Sequence, residues 1–212
     1  MAGVSSVSLA TVREGLESRL AGANLALAED LFGVLAILDS NAGLRRALTD
    51  PSRTGKDKAV LVDQLIAGRV SPEAAGVVRD LVGERWANAR DIGDALETLA
   101  ATVVISVAEQ GSGVEGLEQL ENELYSFIQV VGSDHALQRG LSEAQASPES
   151  KGIAGAEAEG GWLNPLPAVL PGLRSWMGTR KSTTAELLDR SARRGDVGSR
   201  GCDSERRQRR SG

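Results

Sequence analysis

One glycine pattern in the chain has a chemical reading. Gly111-Ser112-Gly113-Val114-Glu115-Gly116 fits G-x-G-x-x-G. In a dinucleotide site, such glycines make a tight turn and let the backbone approach a pyrophosphate. The preceding Thr102 to Val107 is β-branched enough to pass for a strand. Against this, the helical period that begins at Asp91 runs through Val107 without a breaker, and no second strand completes a βαβ unit. The simpler reading is a glycine break between two helices, with Ser112 or Gly113 near the second N-cap. No G-x-x-x-x-G-K-[ST] run is present. His135 is the only histidine and Cys202 the only cysteine, which excludes chemistry that needs two imidazoles, a disulfide framework and a Cys-rich metal site. His135, beside Asp134, reads as a solvated turn residue with no second ligand at helical spacing. Cys202 has nothing near it in sequence to activate a thiol. Glu118, Glu121 and Glu123 read as a solvated helix face. The expectation is therefore no catalytic residues, no cofactor and no metal.

The elements that carry these residues read as helices. Aromatics are only 3% of the 212 residues, so any core must be aliphatic. Ser8 reads as a capping serine, with Leu9, Val12, Leu16 and Leu20 on one face and Gly22 as the stop. Leu25 to Asp39 repeats the pattern. Gly43 to Leu48 is a short turn before the breaker Asp50-Pro51-Ser52. Lys56 to Ala67 is apolar at Val60, Leu61 and Leu65 and ends at Gly68. Ser71-Pro72 opens a helix with a capping serine and proline in the first turn; it carries Val77, Val78, Leu81 and Val82 and runs to about Trp86. Asp91 to Glu109 is the longest, and Val114 to Val131 follows the glycine break. Short connections make neighbours antiparallel, as in a bundle. Trp86 is expected to pack. No apolar run approaches the ~18 residues of a spanning helix, and Met1 to Leu9 lacks the order of a secretory signal, so the default expectation is a soluble intracellular chain.

The chain also repeats itself at an offset of 93. Asp30-Leu31-Phe32-Gly33-Val34-Leu35-Ala36-Ile37-Leu38 matches Glu123-Leu124-Tyr125-Ser126-Phe127-Ile128-Gln129-Val130-Val131, and Arg46/Arg139 and Asp50/Glu143 continue the register. The unit used twice is a helix, a tight turn, a short second helix and a polar break. After Lys151 the second copy loses every apolar anchor at once, which a frame shift does and gradual substitution does not. Moved one base along, the codons for Lys151 to Glu159 permit Lys/Arg-Ala-Leu-Leu-Val-Gln-Lys-Leu-Arg, which restores the anchors of Val60, Leu61 and Leu65. Charge changes at the same place: residues 1–150 carry 22 acidic and 12 basic side chains, residues 151–212 carry 7 and 12. Only 9 of those last 62 residues are Leu, Ile, Val or Phe, too few to build a core. Residues 142–212 are expected to be largely disordered and, from about 152, out of frame. The basic run Arg206-Arg207-Gln208-Arg209-Arg210 lacks the aromatic interleaving of a nucleic-acid site.

Several stretches, taken in order, resemble the delta subunit of the F-type ATP synthase in its actinobacterial form, the family of the oligomycin-sensitivity-conferring protein. They are Leu44-Arg45-Arg46-Ala47-Leu48-Thr49-Asp50-Pro51-Ser52, Lys58-Ala59-Val60-Leu61-Val62, Val70-Ser71-Pro72-Glu73, Glu84-Arg85-Trp86 and Leu120-Glu121-Asn122-Glu123-Leu124-Tyr125-Ser126-Phe127. The resemblance covers about residues 5–151. It implies an all-α fold: an N-terminal six-helix bundle over residues 5–110, a connecting long helix and the start of the second repeat over 114–141, then the tail. It implies a non-catalytic connector of the peripheral stalk, on the cytoplasmic face of the membrane. The bundle would bind N-terminal helices of the alpha subunits, and the second domain would grip the b subunit. The alpha-binding groove between the family's first and fifth helices points to Val12, Leu16 and Leu20, and to Ala74, Val78, Leu81 and Val82, by helix-in-groove docking. The family's C-terminal signature is missing after Lys151, so the b-subunit contact is expected to be impaired.

Two other readings compete. A helical RNA-binding bundle of the antitermination type has a comparable size, but it wants a basic face where residues 1–150 are net −10. A nicotinamide-dependent enzyme built on Gly111 to Gly116 wants strands.

Overall fold

A computed structural model describes residues 3–133 and His135. The expectations for the remainder, including Cys202, the arginine run and the frame shift, lie outside the described residues. Every regular element among the described residues is helical: α1 (Val4–Leu20), α2 (Leu25–Ser40), α3 (Ala42–Thr49), α4 (Gly55–Ile66), α5 (Pro72–Gly83) and α6 (Asp91–Ser133). Two compact units divide between Val104 and Ile105.

The first unit is a bundle whose helix starts follow from local chemistry. Asn24 accepts from the Leu27 amide at 3.0 Å, Asn41 from the Leu44 amide at 3.0 Å and Ser71 from the Ala74 amide at 3.3 Å. Each satisfies an amide that a helix N-terminus leaves without an internal partner. Thr54 and Asp57 form a reciprocal capping box at α4, and Pro72 sits in the first turn of α5.

Three local signals turned out differently in the fold. Ser8 does not cap α1, which begins four residues earlier at Val4. Its hydroxyl is buried and donates to the Arg85 carbonyl at 2.6 Å, a contact made across the fold. Gly43 to Leu48 lies within a two-turn helix, α3, held by the Asn41 cap and by Arg45, which donates back to the Leu38 and Asp39 carbonyls at the end of α2. α5 stops at Gly83; Trp86 lies in the following loop, buried, with its indole N–H donating to the Leu81 carbonyl at 2.9 Å.

The bundle is organised around α5, against which α1, α2 and α4 all pack; α3 packs on α2. Ala74, Ala75, Gly76, Val77 and Val78 give α5 a slender body that admits several neighbours closely. At its far end a Cβ on Gly55 of α4 would stand 3.3 Å from the Gly83 Cα. The core is aliphatic apart from Phe32 and Trp86, with Leu16, Leu31, Leu35, Leu48 and Leu81 fully buried.

In the second unit, α6 is interrupted at Ser112 (φ −146°, ψ 18°) and Gly113 (φ 60°, ψ −133°). The chain doubles back there. Ala108 and Gly116 would be about 12 Å apart along a straight helix, yet a Cβ on Gly116 would overlap the Ala108 carbonyl oxygen. α6 thus has two limbs, residues 91–111 and 114–133. Leu117, Leu120 and Leu124 form the buried stripe of the second limb.

Candidate docking surface

The α1–α5 seam is built by glycine on both sides. A Cβ on Gly15 would lie 3.9 Å from the Asp80 carboxylate, and one on Gly76 would lie 3.6 Å from the Arg19 guanidinium. Arg19 therefore lies flat across α5 and pairs with Asp80 at 2.8 Å, both half-buried. Its second terminal nitrogen is buried in the seam without a hydrogen-bond partner. Such a partly exposed pair contributes at most about 1 kcal/mol; its effect here is positional, since it fixes the lateral register of the two helices.

All seven residues that the resemblance pointed to, Val12, Leu16, Leu20, Ala74, Val78, Leu81 and Val82, are buried in the first unit. They form the apolar underside of α1 and α5, so they present no free face to a ligand in this conformation. The periodicity that selected them is the signature of a core face, and it reads the same for a groove floor.

The sequence reading passed over the adjoining stripe. Val4, Val7, Thr11, Gly15 and Arg19 recur at helical spacing along α1, ending at the contacts with Gly76 and Asp80. Val4 is 55% exposed and Val7 67% exposed, so a band of short side chains leads into the seam along the outside of α1. Two valines three residues apart ahead of the Leu9–Leu20 periodicity were the available signal; the assumed cap at Ser8 had placed them outside the helix.

The start of α1 is anchored. Ser5 is buried, donates to Asp91 at 2.6 Å and accepts from the Ala87 amide at 2.9 Å; Asn88 donates to the same Asp91 oxygen at 3.3 Å. Together with the Ser8–Arg85 contact, this ties α1 to the loop after α5 and keeps Val4 and Val7 on a fixed helix.

The glycine pattern at Gly111 to Gly116 serves another purpose than phosphate binding. Thr102 to Val107 is helical, with the Thr102 hydroxyl donating to the Thr98 carbonyl at 2.8 Å, and no strand occurs among the described residues. Gly113 supplies the positive φ of the reversal, and Gly116 lets the backbone at Ala108 approach closely. His135 is exposed. Among the described residues no group of three His, Cys, Asp or Glu is placed to hold a metal ion, and no helix is long and apolar enough to cross a membrane.

No protein-family model matches the chain. Curated relatives do. The chain is 62% identical over 156 residues to "ATP synthase subunit delta" of Pseudarthrobacter chlorophenolicus, covering 71% of this chain and 57% of that one. It is 60% identical over 152 residues to the protein of the same name from Renibacterium salmoninarum (71% and 56%), and 43% identical over 148 residues to that from Kineococcus radiotolerans (68% and 52%). The chain spans just over half the length of these relatives. Identity at that level over some 150 residues, with only helices among the described residues, means that this protein belongs to the family of ATP synthase delta subunits in their actinobacterial form.

Proposed function

We propose that the chain is a non-catalytic connector of the proton-translocating F-type ATP synthase, peripheral on the cytoplasmic face of the membrane. Its first unit binds N-terminal helices of the alpha subunits and so holds the catalytic head. The observation that carries this is the α1–α5 surface: an exposed stripe of Val4, Val7, Thr11 and Gly15 beside a seam kept shallow by Gly15 and Gly76. A helix can lie on such a strip without displacing a side chain, and its own apolar residues would cover the two valines. Val12, Leu16, Leu20, Ala74, Val78, Leu81 and Val82 then act from beneath, by holding α1 and α5 in register. Arg19 and Asp80 flank the strip and offer one charge of each sign to the helix's polar edge.

Binding of a labelled peptide copying the first residues of the cognate alpha subunit tests the reading. Val7→Glu is expected to weaken it about tenfold or more with the circular dichroism unchanged, because Val7 is exposed. Equal binding by the variant would overturn the assignment of this strip.

The link to the membrane sector, through the peripheral-stalk b subunit, is proposed to be weak in this chain, since residues after Lys151 lack the family's C-terminal signature. Firm capture of the b subunit through residues 152–212 would refute this.

A further inference from the structure

Lys58 stands where folding alone gives no reason for a lysine. It is only 4% exposed, yet its ammonium makes no hydrogen bond or ion pair with any described residue. A buried cation without a partner costs stability. It also lies one turn into α4, where the helix dipole already presents positive charge. Asp57 does not compensate it, because that carboxylate is engaged in the capping box with Thr54. Asp50 is near enough to act on the Lys58 charge. Its Oδ1, however, accepts from the Ser52 amide at 2.8 Å and the Ser52 hydroxyl at 2.7 Å, and no ion pair with Lys58 forms.

More positive charge gathers at the same place. Gly55 at the start of α4 abuts Gly83 at the end of α5, which brings Arg85, two residues on, to this junction. Helical side chains lean toward the helix N-terminus, so Lys58 leans back toward it as well. Arg85 acts on the Lys58 charge and Arg53 on the Asp50 charge. Both arginines are exposed, and neither side chain has a hydrogen bond or ion pair among the described residues. Three cations against one carboxylate leave an excess of two positive charges. The Lys58 ammonium is not among the polar atoms shut off from solvent, so a small ion can reach it.

We propose that Lys58, Arg85 and Arg53 form a binding site for a small dianionic oxyanion, with free phosphate as the ligand. Lys58 supplies a fixed point charge, and the two guanidinium groups offer paired donors to the phosphate oxygens. Asp50, pinned by Ser52, holds the excess at two charges, which a dianion neutralises and a monoanion does not. The cost of burying Lys58 is then offset when the ion is bound. This goes beyond the proposed contact with alpha subunits: the site lies where α4 meets the end of α5, and it stands or falls without the α1–α5 strip.

Calorimetric titration of the full chain with inorganic phosphate is the test, at mildly alkaline pH where phosphate is a dianion and with chloride holding the ionic strength constant. Saturable binding is expected, weakened about tenfold or more by Lys58→Met and about threefold by Arg85→Gln. Arg85 is exposed, so the circular dichroism of that variant should match the parent. Arg13→Gln, an exposed cation of α1, is expected to bind as the parent does. Phosphate should also raise the urea midpoint of the parent more than that of Lys58→Met, because only the parent gains binding free energy on folding. An equal rise in both would mean general exclusion of phosphate from the surface and overturns the site. So does the absence of saturable binding, or equal binding by the Lys58 and Arg85 variants and the parent. Acetate binding as tightly as phosphate would overturn the preference for a dianion.

Discussion

Replacing Gly116 by alanine sets two physical effects against each other. In an exposed helix interior, glycine to alanine stabilises by about 1 kcal/mol, because alanine loses less backbone entropy on folding. Gly116 is helical and φ does not forbid a side chain, so propensity alone expects a gain. Packing expects a loss. The added Cβ would overlap the Ala108 carbonyl oxygen, stand 3.1 Å from its carbon and touch the Ser112 Cβ at 3.4 Å. An ordinary carbon–oxygen contact is about 3.3 Å, and the obstacle is backbone, which cannot turn aside. The second limb must retreat, and overpacking of this kind costs about 1–3 kcal/mol, so loss wins over gain. Hydrogen exchange of amides 105–120 is the assay, since it reads local opening without requiring the two units to unfold together. Gly116→Ala is expected to accelerate exchange there. Gly111→Ala, five residues earlier with nothing within 4 Å, is the control and is expected to leave exchange unchanged or slower. If the two variants behave alike, the close approach of the limbs is wrong.

Gly113→Ala has open space around it, yet it is expected to destabilise the same amides by about 1–3 kcal/mol, because φ 60° with ψ −133° is a glycine conformation. Ser5→Ala removes the acceptor of the Ala87 amide and the donor to Asp91, so a drop of about 1–3 kcal/mol in urea-unfolding stability is expected. An unchanged midpoint would show that the anchor of α1 contributes nothing. Lys58 is buried, and burial holds its pKa below the usual lysine value, with nearby Asp50 pulling the other way. The unfolded chain then binds the proton more tightly than the fold. Stability is therefore expected to rise with pH between the lowered folded pKa and the normal value near ~10.4. Lys58→Met is expected to raise the urea midpoint at pH 7 and to flatten that rise; a lower midpoint would refute the argument. Arg19→Ala is expected to cost no more than about 1 kcal/mol and, by freeing the α1–α5 register, to weaken binding of the alpha-subunit peptide more than it lowers stability.

Helix existence and most helix ends were legible because they are set locally. Leucine and valine at period 3.6, Ser71 as a cap, Pro72 in a first turn, and the breaks at Gly68 and Gly113, both at positive φ, all act within a few residues of themselves. The family, too, was legible from short runs in order, and the relatives named "ATP synthase subunit delta" agree with it. The exposed Val4–Val7 stripe, proposed above as a docking strip, was not legible. Buried and exposed apolar residues obey the same periodicity, so Val12, Leu16 and Leu20 looked as suitable as Val4 and Val7, although the former are core and the latter are open.

What the amino-acid order settled alone was the helical character of the described residues, the aliphatic core and the break at Gly111 to Gly113. Folding in three dimensions decided the rest. It spent Ser8 on the Arg85 carbonyl and so moved the start of α1 to Val4. It turned G-x-G-x-x-G into a sharp reversal of α6, since only the approach of Ala108 reveals why residue 116 has no side chain. It buried Phe32 and left Tyr125 open, though the two share one sequence register. The reason is common to all three: caps and periods are short-range, whereas exposure and close approach depend on which distant segment arrives.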